Sequence, residues 1–251
     1  PLSRFYTLGS GTLPTAFAAI INAGSAVAAH CRVAAPASPP AGLGVFNFQT
    51  VDLITHLPTG PLNTPANIAP GAVLGFVFSF APTAPIPAGT SLAMRFLCDN
   101  VADADEVVGV NNLFLGAAAV PSSDPVALLA TISGDSVMRI PGSFGSQIAA
   151  AGVSNVGASA VVTVSADTGG VPLPVTLLVC ETNGVGACIT GFTPSVTVAH
   201  VSGTGRTYAI AAIASGPISF QPGVNRVFLR ITEGGVGGPL HGATAAAICT
   251  T

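Results

Sequence analysis

Four carboxylates crowd into one short stretch of the chain: Asp99, Asp103, Asp105 and Glu106. In a loop at a strand end, that density of oxygen donors could ligate Ca²⁺. The stretch lacks the twelve-residue pattern of a helix-loop-helix calcium site, and the competing reading is a solvated loop that lends charge to an otherwise uncharged surface. The five cysteines carry the other chemistry. Cys180 and Cys188 bracket an Asn183-Gly184 turn signal, which reads as a hairpin clipped by a disulfide. A zinc site is the rival reading, but the spacing is not that of a zinc knuckle and no second pair lies nearby. Cys31 and Cys98 fall on expected strands, where a bridge would close a loop of about 68 residues and stabilise by roughly 4 kcal/mol in the chain-entropy picture. Cys249 is left over near the end of the chain, either as a small buried hydrophobe or as a thiol that pairs between subunits.

Catalytic constellations are poorly represented. The four histidines are His30, His56, His200 and His241, and ten acids accompany them, so a Ser-His-Asp arrangement is arithmetically possible. Ser133-Gly134-Asp135-Ser136 has a superficial likeness to the Gly-Asp-Ser block of one esterase family. That block should follow an early strand of an α/β fold and be answered by Asp-x-x-His near the end, and neither occurs. The absence of lysine removes Schiff-base chemistry and the phosphate-loop lysine. Gly234-Gly235-Val236-Gly237-Gly238 fails the dinucleotide spacing. Two tyrosines, 13 phenylalanines and no tryptophan make no sugar-stacking platform. His30 and His200, on expected strands, read as framework histidines. The expectation is a protein without catalytic residues, cofactor or committed metal site.

Charge sets further limits. Only 7% of residues are charged, against about 25% in an ordinary soluble domain, and hydrophobic residues make up 49%. The seven basic residues are all arginines, scattered along a chain of net charge −3, which is too little for nucleic acid or for an anionic membrane surface. Mean hydropathy is high at +0.70, yet the best apolar stretch, residues 14–29, is too short for a span and contains Asn22, Gly24 and Ser25. So weakly charged a surface is a liability for a free monomer and suits one covered by neighbouring subunits. The rival reading is compositional drift in a GC-rich genome. The chain opens on Pro1 with no leader-like segment, which points to a processed, mature protein, and the cysteine pairs point to an oxidising compartment.

The elements that must position these residues are strands. Strand-like runs occur at 26–33, 45–55, 73–80, 91–98, 112–118, 126–133, 160–166, 175–181, 195–201, 206–213, 226–232 and 243–250, separated by Gly and Pro turns. In 195–201 the alternation puts Val196 and Val198 on one buried face. The Ala-rich runs 16–19, 149–151 and 245–247 are where an all-β reading is most exposed to error. The chain also repeats itself. Asn22-Ala23-Gly24-Ser25-Ala26 lines up with Asn155-Val156-Gly157-Ala158-Ser159 at an offset of 133 (22 to 155). Phe76 lies over Tyr208, Pro85-Ile86 over Pro217-Ile218 and Phe96-Leu97 over Phe228-Leu229, each at 132 (76 to 208). One fold unit therefore occurs twice, and the divide falls in 120–125, an extended, stiff linker bracketed by Pro121 and Pro125. The expected domains are 1–120, with an N-terminal segment, and 121–251.

The Asn-x-Gly turns, the run from Leu173 to Cys180 with its hairpin ending in Cys188, and the strand opening Asn225-Arg226-Val227-Phe228 resemble secreted bacterial tandem immunoglobulin-like repeat proteins. The likeness implies an all-β chain of two tandem immunoglobulin-like β-sandwich domains at the cell surface or outside it. Its motifs are framework residues and carry no activity. Cys249 and the 234–238 loop depart from the pattern. The functional expectation is a self-assembling structural subunit of an extracellular fibre, sheath or surface layer, joined by apolar and strand-edge contacts. Possible partners are copies of itself and other cell-surface components. A surface adhesin or ligand-binding module is the alternative, and a secreted hydrolase is the third reading. The N-terminal segment, with Leu2, Phe5, Tyr6 and Leu8, either lies along a neighbour's open edge or completes its own sandwich.

Overall fold

The computed structural model describes residues 2–251, and every regular element among them is a β-strand. Pro1, at the head of the expected N-terminal segment, lies outside the described residues. The first half contributes β1 (Ser3–Thr7), β2 (Thr15–Ile21), β3 (Ala28–Ala34), β4 (Val45–Val51), β5 (Ala66–Ile68), β6 (Val73–Ala81), β7 (Ile86–Ala93), β8 (Arg95–Leu97) and β9 (Asn112–Ala118). The second contributes β10 (Pro125–Ala130), β11 (Val137–Ile140), β12 (Ser146–Asn155), β13 (Ala160–Asp167), β14 (Val175–Thr182), β15 (Ser195–His200), β16 (Gly205–Ala214), β17 (Arg226–Glu233) and β18 (Leu240–Thr250).

No sheet mixes strands from the two halves. The second half forms β10-β12-β16-β14 and β11-β18-β17-β13-β15, and the first half runs β2-β6-β4, β5-β3-β8 and β1-β9-β7. The orders correspond strand for strand: β3 and β13 start at residues 28 and 160, β6 and β16 at 73 and 205, both 132 apart. β1 runs parallel to β9 as β11 runs parallel to β18. Two differences remain. The long β17 is divided in the first half into β7 and β8, with Met94 between them, and β10 has no counterpart.

Each half closes on its own core. Val153, Tyr208, Ile210 and Val179 from one sheet of the second half meet Ile140, Val164, Leu229 and Ile248 from the other. In the first half Phe76, Phe78, Phe80, Phe48, Leu92 and Leu115 play this part. The Ala-rich runs are strands after all, because bulky residues stand opposite the alanines. Ala16 pairs with Phe78 and Ala18 with Phe76, while Ala149 pairs with Ile210 and Ala151 with Tyr208. A small side chain beside a large one fills the layer without strain.

Several expected boundaries need correction. The strand expected over 45–55 ends at Val51, because Asp52 Oδ1 accepts the N–H groups of Ile54 and Thr55 and turns the chain. The one expected over 126–133 ends at Ala130. β2, β5, β11 and β12 escape sequence reading because they are alanine-rich or short.

Candidate functional site

Cys31 is bonded to Cys98 and Cys180 to Cys188. The first bond ties β3 to the segment just after β8 and sits beside Ala28 and Ile68. The second closes a hairpin in which Asn183 Oδ1 accepts from Val185 N and Ala187 N. Cys249 is free and buried against Val137 and Ala247. Its burial is that of a small hydrophobe, the first of the two readings of Cys249.

The acidic stretch does not converge. Asp99 pairs with Arg32 and His30, Asp103 pairs with Arg95, and the backbone carbonyl of Asp105 accepts from Asn111. The Arg32 hydrogen bond, then that of His30, lowers the pKa of Asp99. Among the described residues, no three His, Cys, Asp or Glu side chains gather as a metal set, Glu106 included. Two of the four carboxylates, Asp99 and Asp103, are thus held by Arg32 and Arg95, as a charged surface loop would hold them. The Ser133 to Ser136 block is a turn before β11, where the Ser133 hydroxyl donates to Asp135, which pairs with Arg139 at 2.7 Å. The histidines are dispersed: His56 lies edge-on to Phe17, and His200 Nε2 lies 3.2 Å from Thr204 O. Burial lowers the His200 pKa.

The N-terminal segment stays with its own chain. β1 pairs in parallel with β9, Phe5 and Tyr6 are buried, and Leu8 packs against the first core. Here it forms a strand of the same chain, the second of its two readings, with the Leu2 carbonyl accepting Phe114 N. The same segment anchors the junction between the halves. Arg4 reaches Asp124 at 2.7 Å with side chains only 12% and 6% exposed, and Asp124 Oδ1 also accepts Phe5 N. Phe5 stacks on His241 at 4.3 Å, and Ala243 N donates to Ser3 Oγ. Ser123 donates to Glu233, while its carbonyl lies 2.9 Å from His241 Nδ1. Within residues 120–125, Val120 and Pro121 are exposed while Ser123 and Asp124 are packed into this junction. Nothing in the local sequence reveals this, since the partners lie about 120 residues away.

The most unusual surface is the outer face of β10-β12-β16-β14. Register places Val126, Leu128 and Ala130 beside Ser154, Gly152 and Ala150, then Gly205, Thr207 and Ala209. Ile148 and Ile213 extend it, and Thr176, Leu178 and Thr182 complete it on β14. No charged residue lies on this face, and Leu128 is 69% and Ile148 47% exposed. The far edge, β14, is partly closed by its own hairpin through Val179 and Thr193.

The chain matches no protein-family model and no curated protein. Among solved structures it is similar to a chaperone, CupB2 of Pseudomonas aeruginosa, with TM-score 0.28, 9% identity and 98% of each chain covered. It is also similar to the secreted serine protease VesC of Vibrio cholerae, with TM-score 0.24 and 10% identity over 92% of this chain and 50% of that one. A 1.5-MDa bacterial ice-binding adhesin gives TM-score 0.26 and 14% identity over 95% of this chain and 66% of the other. Likeness at this level assigns neither a fold family nor an activity.

Proposed function

We infer that the chain is a pair of tandem immunoglobulin-like sandwiches, 1–120 and 121–251, acting as a non-enzymatic structural subunit of an extracellular assembly. The observation that carries this reading is the uncharged outer face of β10-β12-β16-β14, with Leu128, Ile148 and Ile213 open to solvent. Free soluble proteins guard sheet surfaces and edges with lysine and other charges, and this chain has no lysine. The disulfides suit an oxidising compartment, and the junction around Asp124 suits a rigid two-part brick. Contacts of this kind are apolar, so salt should not dissolve them.

Sedimentation of the chain in low and molar salt tests the reading. Concentration-dependent species above the monomer are expected in both, and Ile148→Lys should return the chain to monomer with its melting temperature unchanged. A monomer at all concentrations would defeat the assembly reading. A monomer that nevertheless retains a glycan or matrix protein on a binding array would favour the adhesin alternative.

A further inference from the structure

The two copies of the fold differ at one edge. In the second half, residues 122–130 enter across the Asn155 turn and pair antiparallel with β12, from Pro125 opposite Asn155 to Ala130 opposite Ala150. The first half carries the same receptor, β2 followed by Asn22-Ala23-Gly24, and no strand among the described residues pairs with its free side. The turn is similar, with its local acceptor one residue further along in the first half. Asn22 donates from Nδ2 to Ala26 O and Ile68 O, as Asn155 does to Ala158 O and His200 O. Asn155 Oδ1, however, accepts two N–H groups, from Gly157 and from Asp124, whereas Asn22 Oδ1 accepts only that of Gly24.

Four further observations agree. Val156 N and Ala158 N donate to Asp124 O and Ser122 O, whereas the equivalent Ala23 N and Ser25 N meet no acceptor among the described residues. Gly157 is required because a Cβ there would lie 2.5 Å from Asp124 N and Ser122 O. Gly24 is kept although its Cβ would meet only Asn22 Oδ1. Inward residues of β12, Ala151 and Val153, are buried, while their counterparts Ala18 and Ile20 on β2 are only partly buried. Beside Ala18 lies a cavity of about 220 Å³ lined by Phe78, Met94 and Phe96 of the first half and by Ala127, Leu128 and Thr244 of the second; opposite Ala151, the equivalent of Ala18, the inward-facing Leu129 packs on the second core.

We propose that the free edge of β2 with its Asn22 turn is a vacant strand-binding site, filled by an extended, uncharged segment of another polypeptide. Asn22 N and Pro14 O bond toward β6, so alternation turns the N–H and C=O groups of Phe17, Ala19, Ile21 and Ala23 outward. Arg4 already caps Thr15 O, which sets the end of the site nearest the junction. The occupant runs antiparallel to residues 17–23, places a leucine-sized side chain at the cavity and a small one over Ile20, and donates an N–H to Asn22 Oδ1. A charged occupant is disfavoured, since no residue from 13 to 29 is charged. Main-chain bonds supply affinity and the inward side chains supply register. Its use as an assembly contact rests on the structural-subunit reading; the site itself rests on the repeat comparison.

The probe is a labelled synthetic peptide of residues 122–130 carrying Asp124→Asn, so that it is uncharged, titrated into the full chain and followed by polarisation and amide exchange. Saturable binding is expected, with exchange at Ala19, Ile21 and Ala23 slowed by about tenfold or more. Ala19→Pro removes one outward N–H without touching the β6 ladder, and proline is tolerated on edge strands. This variant should lose the peptide while keeping its melting temperature, and a peptide carrying Leu129→Asp should not bind. Absence of saturable binding, or protection appearing at β15 or β10 instead of β2, would overturn the proposal, and both are read on the unmodified chain. Peptide binding by a chain that sediments as a monomer would leave the site standing and remove its role in assembly.

Discussion

The second half holds its receptor strand β12 between two neighbours, β10 and β16, whereas the first half holds the equivalent β2 on one side only. Asn22 and Asn155 each donate to a carbonyl of their own turn and to one of their own half, Ile68 O and His200 O being equivalent, so the receptor does not depend on the strand it receives. What differs is coverage: Val153 is buried and Ile20 is not. A repeated fold thus shows what one copy lacks, because the other copy supplies the reference.

The largest effect should come where the second half's extra strand is anchored. Asp124→Ala leaves Arg4 nearly buried without its partner and strips the acceptor from Phe5 N, so a loss of roughly 3–5 kcal/mol is expected by chemical denaturation. Asp103→Ala, which opens the exposed pair with Arg95, should leave the denaturation midpoint unchanged. Equal losses for the two would mean that the junction does not hold the halves together.

The disulfides compare the halves next. Replacing Cys31 and Cys98 by alanine reopens a crosslink of sequence separation 67, and replacing Cys180 and Cys188 reopens one of 8. Loop entropy puts the first near 4 kcal/mol and the second near ~2.5 kcal/mol, and calorimetry on the two double variants should keep that order.

The smallest and sharpest comparison is Phe76 against Tyr208, equivalent residues in the two cores. The buried Tyr208 hydroxyl meets no hydrogen-bond partner among the described residues, and desolvation, with Glu181 nearby, pushes its pKa up to about 12 from 10. The folded state therefore holds the phenol proton more tightly than the unfolded chain. Its contribution to stability is complete below pH 10 and is lost as pH climbs from 10 through about 12. Tyr208→Phe should abolish that alkaline loss and change stability at neutral pH by no more than about 1 kcal/mol in the favourable direction. Phe76→Tyr should lose roughly 1–3 kcal/mol by burying the same orphaned group. Unfolding followed from pH 8 to 12 reads both.

Much was legible in the chain by itself. The repeat, the strands around Phe76 and Tyr208, and the positions of the cysteines follow from local pattern, because side-chain alternation and turn chemistry act over a few residues. The low charge and missing lysine likewise belong to composition alone. The alanine strands β2 and β12 were not legible, since their partners Phe78 and Tyr208 stand about 60 residues away and only pairing brings them opposite. Nor could the sequence show that Asp124 meets Arg4, that Cys249 is enclosed, or that Asn22 and Asn155, alike in motif, differ in what they hold. Those distinctions depend on contacts between segments far apart in the chain, and tertiary packing alone decides which of two identical turns is filled.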